Sequence, residues 1–316
     1  MVYKFLFILG FLAVQCNDAA PKAVQTSPET AENNRDIQRK RINPLPYNLE
    51  IPNQSFPLDA ALNEISGLTT SPNADLLAAV NDEKGQIYFI NKKTGKSTPS
   101  IVFENEGDFE GLEFVADTLW VVKSKGKLFK LWHLDKTPFD MMPVKIENLS
   151  KADNIEGLGY DAQNKRLLLA QKGDKNSIEQ KRTIFAFDLT TQTPSVKKVF
   201  DINLADFQAF LRGKTGEKYE KLIQDYITTP LQTGFDFGPS GIAVHPISGN
   251  IYVISSINKI LMVLTPEGKI VDIAKLNKAI FKQPEGICFD ANGTMYISSE
   301  IKDAATSMLF VFNMIK

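Results

Sequence analysis

Three glutamates in this chain occupy the same local setting. Glu110, Glu156 and Glu285 are each followed by glycine and then by leucine or isoleucine, and Ser66 and Ser240 open the same three-residue phrase. Carboxylates hold hard cations and act as general bases. If the five positions met in space, the three carboxylates would repel one another, and partial burial would worsen it. Protons, lysines or a divalent cation would have to offset that repulsion. Calcium takes about six to eight oxygen ligands from carboxylates, carbonyls and water. One solution is therefore a calcium ion held by Glu110, Glu156 and Glu285, with Asn81 and Glu300 adding oxygens and Ser66 and Ser240 completing the mouth. A second solution is neutralisation by Lys123 and Lys172, which emerge from loops on the same face. A third is that each glutamate accepts backbone N–H bonds from the next repeat. A catalytic version would use Glu156 as base and Lys123 and Lys172 to bind phosphate or stabilise developing negative charge, in metal-assisted hydrolysis of a phosphoester or lactone. Asp108 and Asn154 precede their glutamates by two residues and read as loop caps, with orientation of the glutamates as the alternative.

The elements that must position these residues follow from the spacing. From Ser66 to Glu110 is 44 residues, from Glu110 to Glu156 is 46 and from Ser240 to Glu285 is 45. A four-stranded propeller blade takes about 40–50 residues. The remaining interval, Glu156 to Ser240, is 84 residues. Four strands fit its first half. Residues 204–227 then place Leu204, Phe207, Phe210, Leu211, Tyr219, Leu222, Ile223 and Tyr226 at mostly helical spacing, with Gly213 and Gly216 splitting them into two short helices. This predicts an all-β, five-bladed propeller with a helical insertion, six blades being the alternative. After Glu285 only three strands fit, so a fourth must come from the N-terminal side. Residues 47–51 alternate as a strand and are expected to close the last blade. Asn, Asp and Gly at 73–75, 162–164, 248–250 and 291–293 suit the turns between first and second strands.

Composition narrows the function. Net charge is −1, from 36 basic and 37 acidic residues, which argues against a nucleic-acid partner. With two histidines, His133 and His245, and two cysteines, Cys16 and Cys288, a Cys/His zinc site or a His-based triad is poorly supplied. Both histidines read as structural, Cys288 as a small buried hydrophobe, and Trp120 and Trp132 as packing residues between blades. Near the N-terminus, Lys4 precedes a run of ten apolar residues, 5–14, too short to span a bilayer and of signal-peptide size. Leu12-Ala13-Val14-Gln15-Cys16 resembles a bacterial lipobox, although Gln15 stands where a small residue is usual. Cys16 is then the lipidated residue that joins the protein to a membrane; ordinary cleavage near Ala19-Ala20 is the alternative. The expected organisation is a leader over 1–16, a polar tether over 17–44 and a propeller over 45–316.

The ordered set of five phrases, the last repeat's Pro284-Glu285-Gly286-Ile287 and Asn292-Gly293-Thr294-Met295-Tyr296-Ile297-Ser298-Ser299-Glu300, and the lipoprotein-like leader together resemble the SdiA-regulated (YjiK-like) family of bacterial envelope β-propellers, distantly related to NHL-repeat proteins. That resemblance implies a five-bladed ring with a calcium site in the cell envelope, on the plasma or the outer membrane. Some of the distant relatives are hydrolases. Two functional expectations follow: an envelope-anchored module that binds a small anionic ligand or an envelope protein, and a metal-dependent hydrolase.

Overall fold

A computed structural model describes residues 43–173, 180–191, 193–229, 234–302 and 305–315. The expected leader, Cys16 and nearly all of the tether lie outside the described residues. The first strand, β1 (Gln54–Pro57), stands apart from its neighbours in sequence. Blade 1 is β2 (Ile65–Thr70), β3 (Leu76–Asn81), β4 (Lys84–Asn91) and β5 (Ser97–Glu106). Blade 2 is β6 (Phe109–Val115), β7 (Thr118–Lys123), β8 (Lys127–Trp132) and β9 (Asp140–Lys145). Blade 3 is β10 (Ile155–Asp161), β11 (Arg166–Gln171), β12 (Lys181–Asp188) and β13 (Val196–Asn203). Blade 4 is β14 (Pro239–Val244), β15 (Ile251–Ser255), β16 (Ile260–Leu264) and β17 (Ile270–Lys275). In blade 5, β18 (Pro284–Phe289), β19 (Met295–Ser299) and β20 (Met308–Phe312) are completed by β1 at the outer edge. The described residues thus form five four-stranded antiparallel sheets, and the sixth blade is not needed.

The second strands carry no polar face. A strand turns successive side chains to opposite faces. On β7, Leu119 and Val121 enter a core shared with blade 1, while Trp120 and Val122 enter one shared with blade 3. On β11, Leu167 and Leu169 face blade 2 and Leu168 and Ala170 face blade 4. Each sheet is sandwiched between two others, so both faces are apolar, as in other sheets covered on both sides. Each of the five seams carries its own hydrophobic cluster. A fully buried Leu, Ile or Phe in such a cluster stabilises the fold by roughly 1.5–3 kcal/mol.

Closure differs from the expectation in one detail. The strand that completes blade 5 is β1, pairing Gln54 with Val311 and Pro57 with Met308, and residues 47–51 are not a strand. Tyr47 and Leu49 instead bury their side chains in the seam between blades 4 and 5. The Tyr47 hydroxyl donates to the Gly293 carbonyl at 2.6 Å and meets His245 Nε2 at 2.8 Å. His245 Nδ1 accepts the Ser248 N–H at 3.2 Å, so Nε2 carries the proton and the ring is neutral. Burial pulls this histidine down to about 4. His245 is a latch between the N-terminal segment and two blades, consistent with the structural role expected of it.

Residues 204–227 form α1 (Leu204–Leu211) and α2 (Glu217–Ile223), followed by a π-turn over Gln224–Thr228. Asn203 caps α1 by accepting the Asp206 N–H at 2.9 Å. Leu204, Phe207, Leu211, Leu222 and Tyr226 are buried in the seam between blades 3 and 4. The insertion extends that core.

Candidate functional site

The phrase residues sit at five equivalent irregularities in the ladder. In blade 1, Ile65 pairs with Asn81 and Gly67 with Val80, which leaves Ser66 without a partner. The same shift occurs around Glu110, Glu156, Ser240 and Glu285. Each is the extra residue of a β-bulge, and a bulge re-aims its side chain. All five line one constriction on the propeller axis. The glycines that follow allow the strands to close up. A Cβ on Gly67 would lie 2.8 Å from Gly111 Cα, one on Gly111 2.9 Å from Leu158 N, and one on Gly241 2.6 Å from the Glu285 carbonyl. Gly157 meets Ile242 and Gly286 meets Leu68 in the same way, which closes the circle. The ring of Leu68, Leu112, Leu158, Ile242 and Ile287 lies behind, and about 10 Å³ of free space remains. A substrate does not fit there.

The structure brings Glu110, Glu156 and Glu285 to this mouth and adds Lys172 to them. Lys172 Nζ donates to Glu156 Oε2 at 2.5 Å, and Asn154 Nδ2 donates to Glu156 Oε1 at 3.0 Å. Burial alone would lower the Lys172 ammonium, but Glu156, then Glu285 and Glu110, hold it above the ordinary lysine range. Glu285 is 6% exposed, and burial pushes it up to about 7 despite the attraction of Lys172. Burial, and then the charge of Glu156, raise Glu110 well above the carboxylate range. Glu110 accepts the Ser66 hydroxyl at 2.9 Å and shares a hydrogen bond with Asp108. Asp108 also accepts from the Ser124 hydroxyl. Asn154 and Asp108 therefore contact the glutamates directly, where sequence favoured a role confined to the loop. Ser240 donates to the Pro284 carbonyl at 2.7 Å, bridging two blades.

A second tier comes from the loops after the second strands, which are expected from the sequence to open on this face. The residue after each second strand returns its backbone N–H toward the ring: Asp82 to the Glu64 carbonyl at 3.1 Å, Ser124 to Asp108 at 3.0 Å, Lys172 to Asn154 at 2.9 Å and Glu300 to Gln283 at 2.9 Å. In blade 4 the Ser256 N–H goes to the Ser240 hydroxyl at 3.1 Å. Lys172 thus occupies the position held elsewhere by Asp82, Ser124, Ser256 and Glu300. Asn81 and Lys123 lie one residue earlier. The Asn81 side chain is consumed by backbone, accepting Glu83 N–H at 2.9 Å and donating to the Ala61 carbonyl at 3.3 Å. Lys123 lies over the Phe109 ring at 4.4 Å and pairs with none of the three glutamates. Glu300 accepts from Gln283 Nε2 and shares a hydrogen bond with Glu64; burial, then that contact, push it to about 8. Burial and the charge of Glu64 push Asp82 to about 6. Glu64 and Asp82 join the acidic mouth without belonging to the phrase.

The calcium ion implied by the resemblance does not fit the three ring glutamates as they stand, because an ammonium already lies among them. Among the described residues no group of three His, Cys, Asp or Glu is arranged to hold a metal. Beside the ring, Glu64, Asp82 and Glu300 supply oxygen atoms only. There Asp82 Oδ1 and Asn63 Oδ1 are buried with no hydrogen-bond partner.

Five blades around a plugged axis define a β-propeller. A sequence model of the SdiA-regulated family matches residues 40–302, and the chain belongs to that family. Among solved structures it is similar to glutaminyl cyclase of Myxococcus xanthus, at 13% identity over 83% of this chain and 95% of that one, with a TM-score of 0.53. It also resembles a streptogramin B lyase, at 13% identity over 83% of this chain and 73% of that one, TM-score 0.43. A third is the PQQ-bound aldose sugar dehydrogenase of Streptomyces coelicolor, at 12% identity over 83% and 99%, TM-score 0.47. At such identities the first likeness is one of fold, and the other two carry no argument.

Proposed function

We propose that this propeller is a non-catalytic interaction module of the bacterial cell envelope, tethered to a membrane through a lipidated Cys16. The observation that carries the non-catalytic part is the state of Glu156. The expected base is 8% exposed, held by Lys172 at 2.5 Å and Asn154 at 3.0 Å, at a mouth with about 10 Å³ of free space. A general base must reach a substrate proton within hydrogen-bond distance. In this reading the ring is a structural plug, neutralised by one lysine and by protons, and recognition belongs to the loops around it. A panel of phosphoesters and lactones should yield no turnover above background. Turnover that the Glu156→Gln variant abolishes, with the fold intact, would overturn the reading.

Calcium enters this proposal at Asn63, Glu64, Asp82 and Glu300, where it would tie blade 1 to blade 5 by drawing the carboxylates together. Chelator-treated protein titrated with calcium chloride should melt at rising temperature, following mass action for a ligand of the native state. Glu300→Gln should blunt the rise. A flat melt removes calcium from the proposal and leaves the plug untouched.

A further inference from the structure

We infer that the cleft on the outer side of Lys123 is a binding site for a multiply charged, phosphate-bearing anion. The inference rests on the reading of the propeller as a binding module and locates its ligand surface. The cleft holds about 720 Å³ and opens beside the mouth, where blade 2 meets the segments that lead into it and away from it. Lys123, Lys125, Lys127 and Lys145 line it, and Ile146 and Leu149 supply an apolar wall. Among the described residues none of these four lysines is in an ion pair, whereas Lys172, Lys218, Lys221 and Lys275 each hold a carboxylate. The two acidic residues that share the lining form no ion pair with them, and four lysines outnumber two carboxylates. Asp108 is engaged by Ser124 and Glu110, and Glu106 makes no salt bridge.

Two of the lysines are held in place by aromatic rings. Lys123 Nζ lies 4.4 Å from the Phe109 ring centre and Lys127 Nζ 4.4 Å from that of Phe129. Such cation–π contacts attract an ammonium without cancelling its charge. The result is a concave, positive surface next to a mouth rich in carboxylates, and a concave surface of one sign focuses the field on a ligand of the other. The cleft is lined by lysines and no arginine. Lysine binds phosphate as a point charge, and several ammonium groups around one concave site can meet a multiply charged phosphate from different sides. The volume and the wall of Ile146 and Leu149 leave room for an organic group on that phosphate. The phosphate can belong to a soluble compound or to a lipid headgroup.

The test uses the propeller domain as it stands in the full chain. Inorganic pyrophosphate is titrated calorimetrically, with citrate as the carboxylate control, and co-sedimentation is run with phosphatidylglycerol vesicles. Saturable pyrophosphate binding that exceeds citrate binding and weakens with added salt is expected. The Lys123→Glu/Lys145→Glu double variant should lose at least tenfold in affinity, and Lys197→Glu/Lys198→Glu, on a different cleft, should lose none. If the first variant melts early, Lys125→Gln/Lys145→Gln, both exposed, replaces it. Lysine-dependent sedimentation with vesicles but no pyrophosphate binding assigns the phosphate to a lipid. No binding in either arm, or binding that survives both lysine variants, overturns the site and leaves the plug reading intact. Release of orthophosphate from bound pyrophosphate would keep the site and overturn the non-catalytic reading instead.

Discussion

Lys123 and Lys172 come from the same turn of neighbouring blades, yet they differ in fate. Lys123 is the last residue of β7 and pairs with Phe109, the residue before the bulge. Its equivalent in blade 3 is Gln171, which pairs with Ile155. Lys172 is one residue further on. A shift of one residue turns a side chain to the other side of the chain. It carries Lys172 into a buried mouth among three carboxylates and leaves Lys123 over an aromatic ring at the edge of an open cleft. The same residue type becomes a structural counter-ion in one blade and an unpaired surface charge in the next. The lesson is that charge near a propeller axis acquires its meaning from register.

Removing the counter-ion should give the largest effect. Lys172→Met leaves Glu156 and Glu285 in a buried site without their cation, and breaking a buried pair costs about 3–5 kcal/mol. Urea unfolding should show the loss, and adding Glu156→Gln should recover part of it. If the single variant unfolds like the wild type, the ring does not depend on Lys172. Next comes Gly241→Ala, whose new methyl would lie 2.6 Å from a backbone carbonyl that belongs to the next blade. Overpacking of this kind destabilises by roughly 1–3 kcal/mol. An unchanged melting temperature would show that the ring can open at that seam.

The acidic mouth also makes stability fall as pH rises. Glu285 and Glu300 titrate at about 7 and about 8 in the native state, against an ordinary value of 4.5. Between those limits the native protein holds protons that the unfolded chain has released, so the slope of stability with pH is negative. The contribution is complete below pH 4.5 and is lost as pH passes 7 to 8. Urea midpoints measured from pH 5 to pH 9 should therefore decline, and Glu285→Gln with Glu300→Gln should flatten the decline. A slope that the double variant leaves unchanged would place the protons elsewhere. The smallest expected effect is that of Gly107→Ala. Its methyl would collide with the end of Lys123, which can move aside, and would lie 2.7 Å from the buried Phe109 ring, which must shift. Stability should fall by roughly 1 kcal/mol, the low end of overpacking, while pyrophosphate affinity falls several-fold. Equal affinity would show that Lys123 does not shape the cleft.

Much of this molecule was legible in its residues. The five phrases counted the blades, and the helical spacing of residues 204–227 separated an insertion from a sixth blade. The glutamates of the ring were identified because a bulge residue followed by glycine leaves a recognisable local trace. The closing strand was misplaced because Tyr47, Leu49 and Ile51 alternate like a strand. Gln54–Pro57, which does the pairing, has no such pattern. An open sheet edge recruits backbone, and backbone pairing leaves little mark on side-chain types. Glu64 leaves no sequence signal for a related reason: it lies in a loop outside the repeated phrase, and only its convergence with Glu300 makes it part of the mouth.

By itself the sequence determined the five-bladed ring, the apolar character of its strands on both faces and the three carboxylates bound for the axis. These follow from patterns with a period of two residues or of one blade. Which lysine meets which carboxylate was decided only by the tertiary structure. Lys172 reaches Glu156 across 16 residues of chain through the register of two paired strands, and moving one residue along either strand would exchange its partner for solvent.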